Sequence, residues 1–248
     1  MAILQRAFSR GAGRRCDSCE LAAARDNEPS ANSPPLALSR TIMPAPKKSP
    51  APKTTQRRVY QFKVTLLETR PPIWRRILVP DGTLDALHEQ IQTAMGWTNS
   101  HLHLFEIRGR IFGDPELLDN GLGDIEFVDS LPTRLSDLVG GRRRLKKFKY
   151  NYDFGDGWEH VVELEGEVAA EPGQKYPCCL DGRRACPPED VGGVWGYLEF
   201  LEAIGDPQHE EHESYREWIG GEFDPEAFSA AEATKAMRKG LPNWREYR

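Results

Sequence analysis

The chain has 248 residues, of which 39% are hydrophobic and 29% charged. That is enough for one sizeable soluble core, and no run approaches the roughly 18–20 apolar residues of a membrane-spanning helix. Its net charge of −5 hides a split: residues 1–58 carry eleven Lys/Arg against four Asp/Glu, a net of +7, and residues 59–248 carry 22 against 34, a net of −12. An acidic body repels phosphate backbones, so direct DNA binding by it is not expected. The five cysteines are odd in number and follow no secretory signal, which points to reduced thiols and a cytoplasmic setting.

Residues 1–58 are rich in Ala, Arg, Ser and Pro without a period, and read as a disordered basic extension. Asp17, Glu20, Asp26 and Glu28 argue against a transit peptide, and Met43 is the expected true start. Cys16 and Cys19 form a lone CxxC, two ligands short of a zinc site.

Residues 59–248 read as one domain. Tyr60, Phe62, Val64 and Leu66 alternate with polar residues, the period of a half-buried strand. Ile73 to Val79 is a second strand, closed by Pro80-Asp81-Gly82. Leu84, Leu87, Ile91 and Met95 fall at helical spacing, with Thr83 as N-cap and Gly96 as stop. His101 to Phe112 reads as a third strand, with His101, His103, Phe105 and Ile107 on one face. An acidic loop, a short helical turn over 135–139 and a basic run from Arg142 to Lys149 follow. Lys147 to Phe154 and Trp158 to Val168 form a hairpin, with Gly155-Asp156-Gly157 expected to supply the positive φ angles of the turn.

Residues 171–194 are a Pro/Gly/Cys-rich loop without a period. Helices are predicted over 195–204, 210–219 and 225–239, the last capped by Asp224. Strands followed by helices indicate an α+β fold: a mixed sheet of about five strands with one helix packed across it, roll-like or β-grasp-like, and a C-terminal helical cluster.

Candidate chemistry gathers in the central stretch 150–200. Asp153, Asp156, Glu159 and His160 crowd the hairpin beside Trp158, and Arg183, Arg184, Glu189, Asp190 and Trp195 follow in and after the loop. Trp158 and Trp195 are expected to anchor the loop over the turn, so that Asp153, Asp156, Glu189 and Asp190 share a groove. Arg183, Arg184 or a divalent ion would then relieve their repulsion. His101 and His103, with Cys179 and Cys186, are the candidate metal ligands, and a divalent metal is the cofactor these residue types can hold. HEEH at 209–212 fits neither orientation of the zinc-protease helix motif, and no Gly-rich phosphate loop or GxSxG elbow occurs.

The motifs YDFGDGWEH, CLDGRRACPPEDVGGVWGYLEFLEAIGDP and WIGGEFDPEAF, with LHEQIQTAMGWTNSHLHLFEI upstream, resemble the plasmid pRiA4b ORF-3-like family from about Val59 to Trp244. The resemblance implies an α+β passenger protein of mobile elements, sometimes labelled a TnpR-type resolvase, with no catalytic role assigned to any position. A serine recombinase needs a nucleophilic Ser, several supporting Arg and a basic DNA-binding tail, which a body of net −12 does not offer. Two readings stand: a non-catalytic module that binds a protein or small ligand, and a metal-dependent hydrolase or nuclease using His101, His103, Asp153, Asp156 and His160.

Overall fold

The computed structural model describes residues 58–114, 127–140 and 145–241. The basic extension with Cys16, Cys19 and Met43, much of the acidic loop, Arg142 to Arg144 and the last seven residues lie outside the described residues.

The chain forms strands β1 (Arg58–Leu66) and β2 (Ile73–Pro80), helix α1 (Leu84–Met95), strands β3 (His103–Ile107), β4 (Arg110–Gly113) and β5 (Phe127–Asp129), and a short helix α2 (Leu135–Val139). Strands β6 (Lys147–Tyr152), β7 (Trp158–Ala169) and β8 (Cys178–Arg183) follow, then helices α3 (Gly193–Gly205), α4 (His212–Ile219) and α5 (Ala230–Lys239). The eight strands among the described residues join one sheet in the order β5-β4-β3-β6-β7-β1-β2-β8. Every pairing is antiparallel except β4 with β5, which makes the sheet mixed.

The α+β class follows from the alternation of β1 and β2. Tyr60, Phe62, Val64 and Leu66 of β1 and Ile73, Ile77 and Val79 of β2 are buried with the apolar stripe of α1, while the opposite sheet face stays partly solvated. That outer face carries ion pairs such as Arg76–Glu165 at 2.7 Å and Lys147–Glu163 at 2.6 Å. Thr83 caps α1 by accepting from Ala86 N, and Gly96 ends it in the left-handed region at φ 105°.

The sheet has three more strands than the sequence suggested. His101 to Phe112 is not one strand: Arg108 and Gly109 turn back with positive φ and create β3 and β4. β5 adds a short parallel edge, and β8 lies inside the supposed aperiodic loop, paired with β2. The last helix also starts later. Asp224 holds only a local turn, accepting from Glu226 N, and Ser229 is the cap of α5.

α5 packs on β8 and α1, while α3 and α4 close a smaller aromatic cluster around Phe200, with Tyr197, Tyr215, Trp218 and Phe223. Among the described residues no helix is long and apolar enough to cross a membrane.

Candidate functional site

The turn between β6 and β7 is built by Asp153. Its backbone takes φ 56°, tolerated by an Asp whose Oδ1 accepts from Gly155 N at 2.9 Å and Asp156 N at 3.2 Å. Gly157 supplies the other positive φ, so the left-handed positions are Asp153 and Gly157 rather than Gly155-Asp156.

The segment 187–193 lies on this turn. Asp156 Oδ2 accepts from Gly192 N at 3.2 Å, and Gly193 rests on the Asp156 carbonyl, where a Cβ would come within 2.5 Å of its oxygen. Glu189 accepts from Thr98 N at 2.8 Å and from the Tyr152 hydroxyl at 3.0 Å. Trp97 Nε1 donates to Pro187 O at 3.0 Å, and its ring lies among Tyr152, Trp158 and His160.

His101 links turn and loop. Asp153 N donates to Leu102 O, which brings the segment before β3 alongside the turn. His101 Nε2 stands 2.9 Å from Asp190 Oδ1 and 3.4 Å from Asp153 Oδ2, aligned for a hydrogen bond with neither. One ligand atom from each of His101, Asp153 and Asp190 lies within 4.8 Å of the others, close enough to share a cation. Asp190, like Asp153, has a left-handed backbone, at φ 58°.

The structure brings Asp153, Asp156, Glu189 and Asp190 to one junction, but it corrects what surrounds them. Arg184 is buried elsewhere, 2.7 Å from Glu226 and donating to Pro71 O, and Arg183 sits on β8 opposite Trp74. The carboxylates are met instead by backbone amides and the Tyr152 hydroxyl. Trp158 is a buried anchor at 1% exposure, whereas Trp195 is 84% exposed and anchors nothing.

The proposed His/Cys ligand set does not assemble. His103 stacks on buried His88, ring centroids 3.4 Å apart and planes 5° from parallel. Burial holds His103 well below the ordinary imidazole pKa. His160 is fully buried, its Nδ1–H shared between the carbonyls of Tyr150 and Trp158, and burial lowers it from 6.5 to about 4. The Cys179 thiol donates to Asp181 O, and burial pushes its pKa up to about 11 and that of Cys186 higher still. Both are neutral thiols beside Arg75, with no place in the His101 cluster.

Sequence reading missed the polar core under the junction. Tyr150 OH accepts from Gln92 Nε2 and meets His88 Nδ1 at 2.8 Å, while His88 Nε2 reaches Asn99 Oδ1. His88 and Gln92, four positions apart on α1, are a signal that the apolar stripe alone obscured.

The chain is 43% identical over 188 residues to the uncharacterized protein y4hQ of Sinorhizobium fredii (strain NBRC 101917 / NGR234), covering 75% of this chain and 94% of that protein. It is also similar to the crystal structure of a protein of unknown function, MM3350 from Methanosarcina mazei Go1. The TM-score there is 0.64 at 39% identity, covering 72% of this chain and 97% of that one. The family model described as plasmid pRiA4b ORF-3-like protein matches residues 58–232, a span that takes in the sheet, the junction and most of the closing helices, and the chain belongs to that family.

Proposed function

We propose that residues 59–248 act as a single non-catalytic, cytoplasmic binding module, and that the junction of turn and loop is its recognition surface. One observation carries this reading: Trp195, at the start of a well-packed helix, is 84% exposed beside the junction. Phe154 in the turn is 50% exposed, and Asp190 presents its carboxylate at the rim. Exposed aromatics among carboxylates suit a cationic partner, whose Lys or Arg groups can lie over the indole. The histidines that a hydrolase would need argue the other way, because His103 and His160 are buried, neutral and turned to core partners.

Fluorescence anisotropy with a labelled Arg-rich decapeptide at physiological salt tests this. Binding should weaken by roughly tenfold in Trp195→Ala and in Asp190→Asn, about the loss of one good contact each. Affinity unchanged from the parent in both variants, or no binding by the parent, would remove the junction as the recognition surface.

A second reading has its own observation: the unaligned His101 Nε2 between Asp153 and Asp190. It makes the junction a divalent-cation site. Metal content of the purified chain decides between them: the binding-module reading expects far less than one equivalent, whereas one equivalent lost in His101→Gln would favour the metal-dependent reading.

A further inference from the structure

Arg75 of β2 points into the buried side of the sheet and is 3% exposed. Its Nε donates to Ala94 O at 2.9 Å, and Nη1 donates to Trp74 O and Arg183 O at 2.9 Å each. Nη2 has no hydrogen-bond partner among the described residues, and no carboxylate there pairs with the guanidinium. The ionisable groups beside it are the thiols of Cys179 and Cys186, which burial keeps protonated, so neither serves as a counter-ion. A guanidinium removed from water without an anion is costly to keep unless its donors are satisfied.

The surroundings are built. Phe228 lies over the guanidinium at 4.4 Å from ring centroid to Cζ. The ring is seated on Gly182, where a Cβ would fall 2.6 Å from it, so only glycine lets Phe228 take that place. Arg75 is also a wall of a cleft of about 510 Å³ between the end of α1, residues 185–189 and the segment from Phe223 to Ala236. Most of the remaining wall is apolar, including Met95, Trp97, Pro187, Ile219 and Phe223. Glu189 and Glu232 also line it, which disfavours a doubly charged ligand.

We propose that this cleft binds a small molecule consisting of an apolar body and a single carboxylate, the carboxylate accepting from Nη2 of Arg75. One nitrogen without a protein partner matches one carboxylate, the apolar walls match the body, and the volume is that of a small-ligand site. The proposal is independent of the junction surface: Glu189 is in both places, but neither reading uses it as the recognition group.

Calorimetric titration of the full chain with benzoate, its neutral analogue benzamide, and inorganic phosphate tests the assignment. Benzoate should bind one to one and at least about tenfold more tightly than benzamide, the ratio expected for one charge-assisted hydrogen bond. Ala236→Trp fills the cleft from α5 without touching the bonds of Arg75, and should abolish benzoate binding while the melting temperature is kept. Arg75→Gln should erase the preference for benzoate over benzamide; should that variant not fold, the Ala236→Trp comparison decides. No benzoate binding at millimolar concentration, equal affinity for benzamide, tighter binding of phosphate, or benzoate binding undiminished in Ala236→Trp would each overturn the proposal.

Discussion

Trp158 and Trp195 are the same side chain in opposite environments. Trp158 is enclosed beside Trp97 at a ring separation of 6.1 Å, whereas Trp195 is in solvent. Replacing Trp158 by Ala should cost about 3–5 kcal/mol of stability, through lost contacts and a residual cavity. Trp195→Ala should change stability by less than about 0.5 kcal/mol, as for a surface position without partners. Urea unfolding of the two variants checks this, and a large loss in Trp195→Ala would show that the indole is covered. The sequence suggested two equal anchors because a Trp after Gly-Gly at a helix start reads as a buried hydrophobe. Nothing local distinguishes a helix face that packs from one that does not, since that is fixed by Phe200 and its partners on α4.

At the scale of elements, the hairpin of β6 and β7 was legible because alternation and an Asp-Gly turn are local signals. β8 was not, because Cys178–Arg183 follows a Pro, contains Gly182 and has no clear period. It is a strand only because β2 offers it an edge far away in sequence. The candidate site divides along the same line. The carboxylates around the turn and loop were readable from their motifs, but the side chain that stands between Asp153 and Asp190 is His101, brought in by the β3–β6 pairing, and not the neighbouring Arg183 or Arg184. Glycine usage in α3 can be tested in this light. Gly→Ala inside a helix ordinarily gains roughly 1 kcal/mol. At Gly196 a Cβ would overlap Val191 O, because the loop passes directly over the helix start. Gly196→Ala should therefore destabilise by about 1–3 kcal/mol, the cost of overpacking. Proteolysis of the loop 187–192 should also speed up, and a stabilised variant would mean the loop does not press on α3.

Across the whole molecule, one side of the sheet buries imidazoles that belong to different strands and to α1. His88 and His160 are lowered from 6.5 to about 4 by burial, and His103 is lowered by burial and by His88 stacked against it. His160 Nε2 and His103 Nε2 have no hydrogen-bond partner among the described residues, so a proton added there would create a cation with no acceptor among them. The sign of the effect follows from which state binds protons. Below pH 6.5 the unfolded chain takes up protons that the folded chain refuses, so stability is complete above 6.5 and is lost as pH falls toward 4. Each imidazole contributes a slope of up to about 1.4 kcal/mol per pH unit within that window. The bidentate surface pair of Arg76 and Glu165 interferes little at pH 5 and above: Arg76 holds Glu165 below the ordinary carboxylate value of 4.5, so its contribution is lost only at lower pH. Urea unfolding at pH 7, 6 and 5 should therefore show a steady fall in stability, and His160→Gln, which keeps a donor but does not titrate, should reduce the slope by about one proton. A flat profile from pH 7 to 5 would mean that the imidazoles take up protons equally in the folded and unfolded chain, and that the polar core beneath the junction is open to water.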